Sequence, residues 1–145
     1  MPATPDQLIG SWRLQRWVIT DDAGSTTEPM GSNPWGLIIY AADGYMSAML
    51  AMPGRTPFAG NDPLGGSHEE AHRAMSTCHS YCGRWRIEGE TVVHTVEMAL
   101  WPNMVGTRQV RYYRLDGDRV ILKTPPMTRK GASGIAELTW TRVRT

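Results

Sequence analysis

The sequence has few cysteines and no strong excess of charge, and each of these shortages excludes a class of protein. The 145 residues include two cysteines, Cys78 and Cys82, and carry a formal net charge of +1. A disulfide across so short a loop would constrain the unfolded chain little, so we expect free thiols in a reducing compartment. No run of Lys and Arg offers the basic surface that nucleic acids or membrane headgroups attract. We therefore expect neither kind of partner.

Long apolar runs are also missing. No stretch is long enough to span a bilayer, and the N-terminal residues lack the basic region and apolar core of a signal peptide. These absences predict a cytoplasmic protein. The length suits one domain with a sizeable core, so we interpret residues 1–145 as a single unit. Phenylalanine is scarce too, with one Phe against six Trp and five Tyr. Trp and Tyr suit the walls of ligand cavities, although they also fill ordinary barrel cores.

The most informative stretch is residues 35–52, WGLIIYAADGYMSAMLAM. Asp43-Gly44 between two apolar, β-prone runs predicts a hairpin, because Gly accepts the positive φ of the turn. Both runs carry apolar residues on both faces, so both faces of the hairpin should be covered. One cover is the opposite wall of a closed barrel. The other is a helix, a loop or a partner subunit, and the last of these predicts a homodimer.

The rest of the chain predicts six more strands around this hairpin. Residues 53–67 form a long Pro- and Gly-rich loop, and Ser67 with Glu70 matches a capping box that begins a helix at about 68–79. Short turns join most of the strands, and such an order predicts an all-β, eight-stranded antiparallel up-and-down barrel with one short helix and a long loop between the third and fourth strands. The predicted strands are 8–20, 37–40, 45–52, 80–88, 91–101, 107–115, 119–124 and 135–144.

The first strand carries a recognisable pattern. Gly10-Ser11-Trp12 is a G-x-W as in lipocalins, and Arg142 on the last strand holds the place of the Arg that commonly covers this Trp. Further matching segments follow in order along almost the whole chain: Gly36–Tyr40, Asp43–Ser47, Tyr81–Trp85, Val93-His94, Pro102-Asn103, Gly106-Thr107, Val110-Arg111 and Leu115–Gly117. The chain therefore resembles the small bacterial and fungal lipocalin-like domain family. The resemblance implies a barrel with a cavity and structural roles for Gly10, Trp12 and Arg142, but it implies little about chemistry.

The sharpest local motif is His68-Glu69-Glu70-Ala71-His72, which satisfies the zinc signature H-E-x-x-H. On a helix, the two imidazoles at i and i+4 could share a metal ion, and Cys78 or His79 could supply a third ligand. The helix is short, however, and lacks the apolar flanks of a protease active-site helix. We therefore expect a polar covering helix and no metal, with His68 and His72 as a weak alternative site.

A second constellation points toward catalysis. His94 should face the barrel interior with Val92, Val96 and Met98, and Arg111 shares a strand face with Tyr113. His94 as acid or base, with Arg111 and either Tyr113 or Tyr81 polarising a carbonyl, could serve a cofactor-independent isomerase, cyclase, lyase or hydratase. The alternative is that His94 is an ordinary wall residue and that Arg111 either pairs with Glu97 or lies on the surface.

Aromatic and Met side chains also predict a binding mouth for a flat apolar molecule. We accordingly expect the protein to bind a small, largely apolar or aromatic molecule without any cofactor, with the enzyme as the alternative function. The expected ligand-binding residues are Tyr40, Tyr45, Tyr81, Trp85, Trp101 and Met46.

Overall fold

The computed structural model describes residues 4–129 and 131–144, and within them the chain forms ten strands and two short α-helices. None of these helices is long and apolar enough to cross a membrane. A 3₁₀ turn at Pro102–Met104 follows the sixth strand. The elements are α1 (Pro5–Leu8), β1 (Gly10–Asp21), β2 (Thr26–Thr27), β3 (Trp35–Tyr40), β4 (Tyr45–Ala51), α2 (His68–Ser76), β5 (Cys78–Glu88), β6 (Thr91–Ala99), β7 (Arg108–Asp116), β8 (Arg119–Lys123), β9 (Met127–Arg129) and β10 (Ala132–Arg142).

The eight long strands close into a barrel. Each pairs antiparallel with its neighbour in chain order, and β1 pairs with both β3 and β10, so no long strand is left at an edge. The predicted eight-stranded barrel is therefore confirmed. The short strands β2 and β9 pair with one end of β1 and of β10. They fall outside the predicted strands, because two- and three-residue pairings leave no periodic signal.

Two β-bulges decide which side chains face the interior. The register of β1 shifts between Leu14 and Arg16, so Trp12 and Leu14 before the shift share the inner face with Trp17 and Ile19 after it. Simple alternation along 8–20 predicts that Trp12 and Trp17 lie on opposite faces, and this is wrong because alternation does not continue through a bulge.

The second bulge lies between β5 and β6, where Gly83 pairs with Val96 and Cys82 pairs with Met98. Glu97 is the extra residue, so Met98 points outward with 66% exposure while His94 and Val96 are buried. The prediction that Met98 shares the interior with His94 is therefore wrong, for the same reason.

The β3–β4 hairpin is buried on its inner face, where Ile38, Met46 and Leu50 belong to the core. On its outer face, Trp35 is 62% exposed and Met49 is 55% exposed in the single chain. The 53–79 segment therefore does not cover the outer face as predicted. Within that segment, Arg55 donates hydrogen bonds to Thr77 Oγ1 and to the Ala74 carbonyl oxygen.

Helix α2 begins with the predicted capping box. The Glu70 backbone N–H donates to Ser67 Oγ, and the Ser67 N–H donates to Glu70 Oε1. The helix ends at Ser76 and not at residue 79, because Cys78 already pairs with Ala51 at the start of β5. His79 therefore belongs to a strand of the barrel.

Trp12 and Arg142 close one end of the barrel. The Arg142 guanidinium carbon lies 4.2 Å from the centroid of the Trp12 ring, and Trp12 Nε1 donates to the Leu8 carbonyl oxygen at 2.9 Å. Gly10 has φ of +129°, and a Cβ there would crowd the Arg142 guanidinium. Both features favour glycine at position 10.

Candidate functional site

The other half of the barrel holds a cavity of about 400 Å³. Trp17 and Ile19, from the second half of β1, line it, so it lies away from the end that Trp12 closes. Apolar side chains form most of its wall, and Trp101 and the last helical residue, Ser76, also border it. The apolar wall is formed by Ile38, Ala48, Leu50, Met104, Leu122, Ala136 and Leu138. A volume of this size accommodates a small organic molecule.

The central polar group of the cavity is His94, which is only 1% exposed. Its Nε2 lies 2.7 Å from the Tyr40 hydroxyl oxygen, and its Nδ1 lies 2.7 Å from the Tyr81 hydroxyl oxygen. His94 and Tyr81 line the cavity, whereas Tyr40 is fully buried and does not. Three strands thus supply one continuous hydrogen-bonded series, with Tyr40 from β3, Tyr81 from β5 and His94 from β6.

Burial holds all three groups in their neutral forms at neutral pH. Desolvation, helped by the nearby Arg111 charge, lowers the pKa of His94 to about 3. Desolvation also raises the pKa of Tyr81, and raises the pKa of Tyr40 well above its usual value. His79, whose ring centroid is 5.6 Å from that of Tyr81, has a pKa lowered by the same two causes.

Arg111 supplies the positive charge of the cavity. Its guanidinium donates to the Val110 carbonyl oxygen at 2.9 Å and, more weakly, to Gln109 Oε1 at 3.4 Å. Among the described residues, no Asp or Glu lines the cavity. Since a guanidinium has five N–H donors, most of them are left for a bound molecule. The predicted ion pair with Glu97 is not formed, because the bulge turns Glu97 outward to 4.0 Å from Arg84.

Two further donors in the cavity wall are unsatisfied. Within the described part of the chain, Trp17 Nε1 and Trp140 Nε1 are buried and have no hydrogen-bond partner. Both side chains line the cavity. Buried polar groups are normally paired, so these two unpaired indole N–H groups, which themselves expose almost no surface, are candidate donors to a molecule that packs against the two rings.

The structure brings together only part of the predicted catalytic set. His94 and Arg111 border the same cavity, but Tyr113 does not, among the residues described. The Tyr113 hydroxyl donates to the Gly89 carbonyl oxygen at 3.0 Å, which holds it at the β5–β6 turn. The separation has a geometric cause, since Tyr113 lies two residues further along β7 than Arg111 and toward the closed end of the barrel.

The predicted binding residues divide in the same way. Tyr81 and Trp101 line the cavity, whereas Trp85 and Met46 are buried elsewhere in the core. Trp85 packs on Tyr40 with ring centroids 4.8 Å apart, and donates to the Ala41 carbonyl oxygen. Tyr45 is on the outer face, where Arg84 stacks over its ring at 4.7 Å. Its position follows from the pleat, because its neighbour Met46 points inward.

The histidines of the H-E-x-x-H motif are exposed on α2, and Glu70 is engaged in the capping box and with the Ala59 N–H. No cluster of three or more His, Cys, Asp or Glu residues suited to a metal occurs among residues 4–129 and 131–144.

Sequence reasoning missed Trp17, Trp140 and His79 as cavity residues. Alternation along the last strand, which places Trp140 with Ala136 and Leu138, contains the signal for Trp140. Trp17 was hidden by the β1 bulge, and His79 by the predicted length of the helix. Gln109, which shares the strand face of Arg111, also lines the cavity.

The fold and its cavity define a closed β-barrel of the kind that encloses small molecules. The sequence matches the family of lipocalin-like domains over residues 9–143, so the chain belongs to that family. A similar curated protein is the 4'-hydroxy-3'-methoxypropiophenone carrier protein ppsC of Aspergillus oryzae. It is 35% identical over 107 residues, which cover 68% of this chain and 96% of that protein.

Proposed function

We propose that the protein is a carrier that holds a small aromatic molecule with acceptor oxygens in its barrel cavity. The observation that carries the proposal is the pair of buried, unpartnered indole N–H groups of Trp17 and Trp140 in the cavity wall. An apolar wall favours an aromatic body, and unpaired donors favour oxygen substituents on it. The positive charge of Arg111, without a cavity carboxylate among the described residues, favours the same chemistry.

The related carrier gives the proposal a concrete first ligand. Its name specifies an aryl ketone with a hydroxyl and a methoxy group, a molecule with three oxygens on an aromatic body. Such a molecule matches the apolar wall and the N–H donors of the cavity in kind. It is therefore the first compound to test on this chain, as a representative of its class.

The alternative function is a cofactor-independent enzyme in which His94 acts as acid or base. Its geometric support is weaker, because both ring nitrogens of His94 already have tyrosine partners. A pKa of about 3 also leaves the imidazole unprotonated at neutral pH, so it cannot serve as a general acid there. The two functions differ in the fate of the ligand, which a carrier returns unchanged.

Calorimetric titration with 4'-hydroxy-3'-methoxypropiophenone tests the proposal. We expect saturable binding by the wild type and its loss in Leu122→Trp, which fills the cavity. The matched control is Lys123→Trp, whose side chain is exposed on the same strand and should leave binding intact. Circular dichroism checks that both variants fold. Absence of binding across aryl ketones, phenols and aryl carboxylates would contradict the proposal, and a new product in the NMR spectrum of the mixture would favour the enzyme.

A further inference from the structure

The hydrogen-bonded series through His94 has a direction, which the burial of Tyr40 determines. The Tyr40 hydroxyl is sealed in the core and has His94 Nε2 as its hydrogen-bond partner. Among residues 4–129 and 131–144, no other partner is found for it. A hydroxyl proton buried without an acceptor costs about 1–3 kcal/mol, so the Tyr40 O–H donates to Nε2.

The direction at Nε2 fixes the rest of the series. A neutral imidazole has one protonated nitrogen and one acceptor nitrogen, so an accepting Nε2 places the proton on Nδ1. Nδ1–H then donates to the Tyr81 hydroxyl oxygen, 2.7 Å away. The hydroxyl proton of Tyr81 is consequently not used within the series, and Tyr81 lines the cavity.

We infer that the Tyr81 hydroxyl is an oriented hydrogen-bond donor to an acceptor oxygen of the cavity ligand, such as an aryl carbonyl. Tyr40 and His94 are the positioning residues that keep it in that role. This inference rests on the proposed function and names the recognition chemistry of its site. In the opposite direction, the Tyr40 hydroxyl would accept from Nε2–H and its own proton would have no acceptor. Tyr81 would then donate to Nδ1, so its oxygen could only accept from the ligand, which would select a ligand hydroxyl instead.

The first experiment reads the His94 tautomer in the protein without ligand. Nitrogen-15 NMR of the histidine rings at pH 7, with His94 assigned by its absence in His94→Gln, should show a protonated Nδ1 and a bare Nε2. A protonated Nε2 would overturn the inference. In Tyr40→Phe the bare Nε2 loses its donor, and we expect a mixture of tautomers. An unchanged spectrum would remove Tyr40 from its positioning role.

The second experiment reads the donor on a ligand. With 2-acetylnaphthalene as the probe, the infrared carbonyl stretch of the bound molecule should lie at a lower frequency in the wild type than in Tyr81→Phe. The affinity should drop about tenfold in that variant, as expected for the loss of one hydrogen bond. The affinity for 2-ethylnaphthalene, which has no carbonyl, should change less than twofold in the same variant.

The matched control is Tyr112→Phe, which removes a hydroxyl exposed on the outer face of β7. It should leave the affinities for both naphthalenes and the carbonyl stretch unchanged. A carbonyl stretch that is the same in the wild type and in Tyr81→Phe would overturn the donor role. If neither naphthalene binds and the aryl ketones also fail to bind in the calorimetric titration, the proposed function is contradicted. The tautomer measurement, which needs no ligand, still decides the direction of the series.

Discussion

Arg142 covers Trp12 at the closed end of the barrel and connects three chain segments there. Its guanidinium carbon is 4.2 Å from the Trp12 ring centroid, and its two terminal nitrogens donate to the carbonyl oxygens of Ile9 and Gln7. The last strand is thereby fastened to the start of the first, beside the turn after α1. This contact lies at the opposite end from the cavity, so stability and binding should be separable.

The substitution Arg142→Met tests that separation. It keeps an unbranched apolar chain over Trp12 but removes the cation–π contact, both carbonyl hydrogen bonds and the ion pair with Asp118. We expect a loss of about 2–3 kcal/mol in the free energy of unfolding, measured with urea. The control is Arg144→Met, since Arg144 is exposed and its ion pair with Asp118 should contribute less than about 1 kcal/mol. An equal effect of the two changes would contradict the role of the stacked contact.

The buried His94 predicts a loss of stability in mild acid. Its pKa is lowered from 6.5 to about 3 in the folded protein, so below pH 6.5 the unfolded chain binds a proton that the folded chain does not. The neutral form contributes fully above pH 6.5, and the free energy of unfolding falls by about 1.4 kcal/mol for each pH unit below it. This decline continues until the pH approaches 3.

Comparison of the wild type with His94→Gln isolates this effect. The difference in unfolding free energy between pH 7 and pH 4.5 should be about 2.7 kcal/mol smaller in the variant, because two pH units of one proton's linkage are removed. His72→Gln, which removes an exposed imidazole of α2, serves as the control. Parallel pH curves for the wild type and His94→Gln would show that His94 does not titrate as inferred.

Most of the fold could be predicted from the sequence, because strands and turns leave local signals. Asp43-Gly44 marks a hairpin and Ser67 with Glu70 marks a helix start, and both are formed as predicted. The bulges at Leu14/Arg16 and Cys82/Gly83 could not be found in this way. A bulge depends on how two strands pair, and one strand read alone does not contain that information.

Less of the site could be predicted from the sequence, for the same reason. His94 was correctly expected to face inward, and Tyr81, which was expected among the ligand-binding residues, lines the cavity, but Trp17 was hidden by the β1 bulge. The apolar residues of the outer hairpin face led to the wrong prediction that this face is covered. Ile39 and Met49 are β-prone residues that suit a strand whether or not anything covers them.

Gly83 is predicted to be indispensable for the bulge that sets the cavity. A Cβ at this position would overlap the Thr95 carbonyl oxygen on β6 and crowd the Glu97 backbone nitrogen. Because neither backbone group can move without breaking the β5–β6 pairing, Gly83→Ala should lower the melting temperature and cost about 3 kcal/mol of stability. Gly60→Ala is the control, since nothing lies within 4 Å of a Cβ there. A wild-type melting curve for Gly83→Ala would contradict the assigned register.

Arg111 should give the cavity a preference for anionic oxygens. It is the cationic side chain among the described lining residues, and no carboxylate there competes for it. We expect 4-methoxybenzoate to bind the wild type more tightly than 4-methoxytoluene, which lacks the charge. Arg111→Met should weaken the anion about 10- to 100-fold, as expected for a hydrogen bond to a charged group. Arg114→Met is the control, because Arg114 is exposed on the same strand. Calorimetric titration measures all of these affinities, and a variant that holds both compounds as tightly as the wild type would show that Arg111 is not a ligand-binding residue.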